Sequence, residues 1–306
     1  MRPYRILALY IGGVLLGGAL LAPWVYWAAQ GLAHVVPAAH SLAEHPFHRY
    51  EHRALLLCAV VGLRPFLRAL GVRSWADLGL SGGPGKAGRV VGGIALSVGA
   101  LALAAVVVLL AGARAVNTGV GLQALGGRLA GAALTASVVS VLEEVLFRGG
   151  LFGGLRQADR WKRALVVSSL LYALLHFFGS PPSPATVTWT SGLALLPGML
   201  SGFVDLGRLV PDFFNIFAVG ALLAVAYHRT GDLYYSMGMH AGLIFAAAAY
   251  GALTVPVPGV HLAYWGSGIL IDGWMALLVL SLTMVALLFR LPRPGPEEAR
   301  VEERGR

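Results

Sequence analysis

Hydrophobic positions in this chain come in long blocks, not in the period-two or one-faced patterns of a soluble core. Four blocks stand out: Ile6 to Ala29, Val90 to Ala113, Leu129 to Leu155 and Gly268 to Phe289. Each exceeds the roughly 18 residues a helix needs to cross a bilayer. Hydrocarbon offers no partner to a free backbone N–H or C=O, so such runs predict helices that satisfy their own backbone. Four shorter runs, Ala54 to Leu70, Ala164 to Phe178, Phe213 to Tyr227 and Leu233 to Tyr250, complete a predicted set of eight spans. The expected fold class is all-α: a polytopic transmembrane helical bundle with both termini cytoplasmic.

The polar stretches between the blocks set this orientation. Gln30 to Arg53 carries five histidines, His34, His40, His45, His48 and His52, and reads as a solvated interfacial loop. Arg64-Pro65 interrupts the short second span. Gly71 to Arg89, with Arg73, Lys86 and Arg89, and the basic run Arg156 to Arg163 read as cytoplasmic by the positive-inside rule. Gly179-Ser-Pro-Pro-Ser-Pro184 cannot continue a helix. Residues 190–204 are apolar but short and contain Pro197-Gly198. Counted as a span, they would put His228-Arg229 and Arg290, Arg293, Arg300, Arg304 and Arg306 outside. Counted as re-entrant, they leave every basic loop inside, so they are read as non-spanning. The expected organisation is residues 1–124 as N-terminal membrane helices, 125–252 as a catalytic membrane core, and 253–306 as a last helix with a charged, disordered cytoplasmic tail.

Composition then narrows the class. Of 306 residues, 57% are hydrophobic and 12% charged, about half the charge of a soluble domain. The net charge of +9 lies in loops and tail, so it implies orientation in a bilayer and not a nucleic-acid partner. The single cysteine, Cys58, excludes an intrachain disulfide and a cysteine-rich metal site. The start Met1-Arg-Pro-Tyr-Arg5 looks like that of a signal peptide. The apolar run that follows is too long for one, and it reads as an uncleaved first helix. The alanine, glycine and arginine usage points to a bacterial cytoplasmic membrane.

Against this background the run Val141-Leu-Glu-Glu-Val-Leu-Phe-Arg148 is anomalous. Ionisable groups inside a membrane are costly, by roughly 2.5–3.5 kcal/mol each on insertion scales, and mark functional sites. Counting residues from the span ends gives each group a depth, which helix tilt blurs by several ångströms. Glu143 lies twelve residues before the end of its span, and His176 lies twelve residues into the next. Both are therefore about 18 Å deep at about 1.5 Å per residue. His240 is seven residues into its span, about 10 Å by the same rise. Arg148 stands four residues after Glu144 and can pair with it. Glu143, about 100° round the helix, is then free for chemistry. A carboxylate beside an imidazole can deprotonate a water, and a second imidazole can stabilise the oxyanion that follows.

Glu143-Glu144-x-x-x-Arg148 resembles the first motif of the CPBP family of intramembrane glutamic endopeptidases, which includes CaaX proteases and bacteriocin-processing Abi proteins. Tyr172-Ala-Leu-Leu-His176 resembles its Phe-x-x-x-His motif. The helix carrying His240 resembles its closing His-x-x-x-Asn motif. The resemblance spans about Leu129 to Ala248. It implies hydrolysis of a peptide bond in a membrane-associated protein or peptide within the lipid bilayer. Glu143 would activate water, His176 would assist, Glu144 and Arg148 would shape the motif helix, and His240 would stabilise the oxyanion. Two departures stand out: Ile244 occupies the usual asparagine position, and Phe217 is followed four residues later by Ala221, while Gly220 follows Ile216. Asn215 could stand in for the missing amide.

No cofactor is expected. Zinc held by Glu143, His176 and His240 is the alternative, and no His-Glu-x-x-His helix exists to support a metalloprotease of that kind. Gly198-Met-Leu-Ser201-Gly has the wrong spacing for a rhomboid-type serine site. A transporter would show internal repeats with paired broken helices, and none is visible. The main non-enzyme reading is a CPBP-fold immunity or scaffold protein that binds a membrane partner and has weak activity or none.

Overall fold

The computed structural model describes residues 2–158, 160–204 and 206–292. The tail arginines Arg293, Arg300, Arg304 and Arg306 lie outside the described residues. The fold is all-α. Its main helices are α1 (Arg2–Val35), α2 (Phe47–Ala69), α3 (Lys86–Leu110), α4, α5 (Trp161–His176), α6 (Leu206–Thr230), α7 (Tyr234–Leu253) and α8 (Gly273–Arg290). Helix α4 runs α-helically over Leu122–Glu143, passes through a π-helical turn at Glu144–Phe152, and resumes over Gly153–Ala158. Two three-residue strands, β1 (Arg114–Val116) and β2 (Thr254–Pro256), pair antiparallel with Ala115 opposite Val255.

Among the described residues, six helices, α1, α3, α4, α6, α7 and α8, are long and apolar enough to cross a membrane. The other two expected spans are also helical. Helix α5 has 16 residues, and α2 carries charges along its first half. Residues 190–204 form a short helix, Ser191–Leu195, and a 3-10 segment, Pro197–Phe203, neither of crossing length.

Three local expectations change. The histidine-rich stretch is not a loop: α1 continues to Val35, His40–Ala43 forms one helical turn, and α2 starts at Phe47. His48 and His52 are therefore helical. Pro65 does not interrupt α2, which runs on to Ala69. Pro211 likewise sits within α6, which starts earlier than expected.

The chain divides into two compact units. The first comprises Met1–Gly71 with Phe177–Asp205. Its core joins Ala22 and Tyr26 of α1, Phe47 and Ala54 of α2, and Leu195. Backbones meet where side chains are smallest: a Cβ on Gly192 would fall 2.0 Å from the Ala19 carbonyl oxygen.

The second unit comprises Val72–His176 with Leu206–Arg306. Here α3 packs along α7. A Cβ on Gly238 would sit 2.1 Å from the Val90 carbonyl, and one on Gly93 would sit 2.3 Å from that of Tyr235. Small residues allow this approach where lipid supplies no hydrophobic drive between helices. One end of the pair is tied by Asp232, which bonds Arg89 and lies 3.8 Å from Lys86. The other is tied by Arg114, whose guanidinium donates to the Thr254 hydroxyl at 2.8 Å and to its carbonyl at 3.0 Å.

Candidate active site

The site forms within the second unit, where α4, α5 and α7 carry its side chains. The π-turn of α4 begins at Glu144, directly after Glu143. An inserted π-turn offsets side chains from the α-helical phase and recurs at functional sites. From Phe147 to Phe152 every residue of the turn is buried. Gly149 lets the turn approach its neighbours, since a Cβ there would meet Leu78 and Leu233 at 3.2 Å.

Glu144 is fully buried, and its Oε1 lies 3.0 Å from Arg148 Nη1. Its Oε1 also accepts a hydrogen bond from His240 Nδ1 at 3.0 Å. Arg148, only 2% exposed, reaches the Gly220 carbonyl at 3.5 Å and lies over the Tyr172 ring, 4.4 Å from its centroid. A buried charge is tolerated when it is paired and hydrogen-bonded, and this guanidinium has an ionic, a carbonyl and an aromatic partner. Gly220 serves the same contact from α6. Any side chain there would press on Ser169 of α5 at 3.1 Å.

Glu143 stands differently. Its Oε2 is buried with no hydrogen-bond partner and lies 3.7 Å from His240 Nε2. His240, 3% exposed, is thus gripped at Nδ1 by Glu144 and faces Glu143 across a gap at Nε2. That separation is too long for a hydrogen bond, so the two groups are close without being bonded.

His176 closes α5. Its Nδ1 donates to the Tyr172 carbonyl at 2.7 Å, which leaves Nε2 as its free nitrogen. Its ring lies 4.4 Å from that of Tyr172, whose hydroxyl is 3.4 Å from His240 Nε2. The structure therefore brings Glu143, Glu144, Arg148, His176 and His240 to one place. It pairs them differently from the simple depth argument: His240 bonds Glu144 at 3.0 Å and faces Glu143 at 3.7 Å. Glu144 also does more than ion-pair, because it orients His240.

Two sequence positions acquire new meaning. Tyr172 carries a hydroxyl 3.4 Å from His240 Nε2, and its ring stacks obliquely on His176 at 4.4 Å. The tyrosine in place of phenylalanine was the visible signal. Asn215 donates to the Gly273 carbonyl at the start of α8 at 2.8 Å. Among the described residues, no three His, Cys, Asp or Glu side chains converge at the spacing of metal ligands.

Residues 125–246, the stretch that holds the whole site, match the model of the family described as Type II CAAX prenyl endopeptidase Rce1-like. No curated protein and no solved structure matches the chain. The family match agrees with the resemblance read from the motifs. Together with six candidate spans, it supports an integral membrane protein and a protease of the CAAX type.

Proposed function

We propose that this member of the CPBP/CaaX protease family is an intramembrane glutamic endopeptidase of the bacterial cytoplasmic membrane. It hydrolyses a peptide bond in a membrane-associated protein or peptide. The supporting observation is the buried, unpartnered Oε2 of Glu143 facing His240 Nε2 across 3.7 Å. In this reading the Glu143 carboxylate takes a proton from water, with the free Nε2 of His176 assisting. The hydroxide so formed bonds to the carbonyl carbon, and the carbonyl electrons move to oxygen. His240, held as an imidazolium between two carboxylates, donates from Nε2 to that oxyanion. The C–N bond then breaks, and the departing amine takes the proton held by Glu143. Glu144 and Arg148 neutralise one another and fix His240 through Nδ1.

The test uses the full chain in membranes with a farnesylated CaaX peptide and a panel of membrane-anchored peptide reporters. Glu143→Gln, His176→Ala and His240→Ala are each expected to lower cleavage by about 10²–10⁴-fold, the usual worth of a general acid–base group, at unchanged protein level. Full cleavage by Glu143→Gln would sink the reading. Activity should persist in a chelator. Its loss there, restored by zinc, would favour the metal alternative at Glu143, His176 and His240. The scaffold reading rests on Ile244, which puts no amide one turn after His240. It predicts no cleavage of any reporter, with capture of a membrane partner that the same variants abolish.

A further inference from the structure

His240 Nε2 has two neighbours: the Tyr172 hydroxyl at 3.4 Å and Glu143 Oε2 at 3.7 Å. They differ in what they can do. An ionised carboxylate only accepts hydrogen bonds, so it can hold Nε2 only while that nitrogen carries a proton. A phenol both donates and accepts. Its O–H can donate to a bare Nε2, and its oxygen can accept from a protonated one. The opposite nitrogen presents no such ambiguity. Nδ1 faces Glu144, an acceptor paired to Arg148, and therefore keeps its proton.

The Tyr172 ring is also fixed on all sides. It is buried, 3% exposed. Phe147 meets it edge-on at 5.1 Å, the Arg148 guanidinium covers a face, and His176 stacks against it. A hydroxyl on so constrained a ring has little freedom to point elsewhere, and it also lies within reach of the Glu143 carboxylate.

We infer that Tyr172 is a positioning residue of the site: its hydroxyl holds His240 Nε2 in place in both protonation states and keeps the imidazolium from collapsing onto Glu143. A direct Glu143–His240 ion pair would occupy the carboxylate that must take the proton from water. Tyr172 acts through His240 and Glu143 and need not touch substrate. The charged and titratable groups that face it are Glu143, Glu144, Arg148, His176 and His240. The kinetic part of this inference rests on the peptidase reading; the structural part does not.

The experiment uses Tyr172→Phe, which removes the hydroxyl and keeps the ring packed on Phe147, Arg148 and His176. First, the full chain is labelled with ¹⁵N-histidine in nanodiscs, with His240→Gln used to assign the His240 signals. The Nε2 resonance of His240 should move by several ppm in Tyr172→Phe while Nδ1 stays put, with thermal unfolding unchanged. An unmoved Nε2 signal overturns the inference whether or not the protein cleaves any reporter. Second, on a cleaved reporter, Tyr172→Phe should lower kcat about tenfold, the order of one lost hydrogen bond to a charged group, with KM unchanged. The same substitution in a His240→Ala background should cost nothing further. A full additional loss in that background would show that the tyrosine does not act through His240. Absence of cleavage by the wild type, with the Nε2 shift present, would overturn the peptidase reading and leave the hydrogen bond standing.

Discussion

Two buried glutamates in this molecule sit beside histidines on helices, and they are solved in opposite ways. In the second unit Glu144 has Arg148 one turn on and His240 against the same oxygen, both at 3.0 Å. In the first unit Glu51 of α2 is also fully buried, yet neither of its carboxylate oxygens has a hydrogen-bond partner. The residue four positions on is Leu55. His48 and His52 flank Glu51 on the same helix, with ring centroids 6.0 Å apart, and His52 Nε2 is buried without a hydrogen-bond partner. Burial alone pushes the Glu51 carboxyl up from 4.5 to about 7. The same burial, reinforced by His48, holds His52 below its ordinary value. One cluster is ionised and compensated; the other approaches neutrality by protonation of the acid. What separates them is the two partners of Glu144, a cation at i+4 and the His240 N–H.

The largest effect should come from making the first cluster like the second. Arg148→Met leaves Glu144 buried without its cation. Breaking a buried pair costs about 3–5 kcal/mol, so thermal unfolding in detergent should drop steeply, and Glu144→Gln in the same chain should recover part of the loss. A milder change removes the charge question from the second cluster. Glu51 has a folded value above its unfolded one, so the folded state holds the proton more tightly and stability falls as pH rises from about 4.5 to about 7. Glu51→Gln should flatten unfolding temperature across that window and raise it above pH 7. If the wild type is already flat there, Glu51 has a partner after all. The smallest effect is expected from His52→Ala, which removes an imidazole whose Nε2 has no hydrogen-bond partner; it should change stability by no more than about 1 kcal/mol and leave reporter cleavage unchanged.

Much of this was legible in the sequence, for identifiable reasons. The long apolar blocks announced α1, α3, α4 and α8, because a span must be continuous to satisfy its backbone in lipid. The site announced itself through charge where charge is expensive: Glu143, Glu144 and Arg148 stand in an otherwise apolar run. Depth counting brought His176 and His240 to that level. It did not reveal which imidazole meets which glutamate, since a depth fixes height and not azimuth. The azimuth depends on the π-turn, for which the sequence has no direct signal. Glu51 escaped for a related reason. His48-x-x-Glu51-His52 lies in a stretch dense with polar residues, and loop composition masked a helical spacing. Gly220 was visible only as an out-of-place glycine, and its role needed Ser169 on the facing helix.

The π-turn has a consequence for how this protein can change over time. A helix carrying it has two phases: Leu122–Glu143 keeps one, and Gly153–Ala158 keeps another, offset by the extra residue. Loss of one residue between 144 and 152 would let the turn close into a regular α-helix, with the flanking segments keeping their faces and the buried turn itself rearranged. Arg156, now 3.1 Å from His228, would keep that neighbour, while the side chains of 144–152 changed theirs. Point substitutions can adjust this site gradually, whereas length changes in this turn act all at once. A relative that keeps both glutamates and the arginine but is one residue shorter before Arg156 should therefore hold its second glutamate in a different setting.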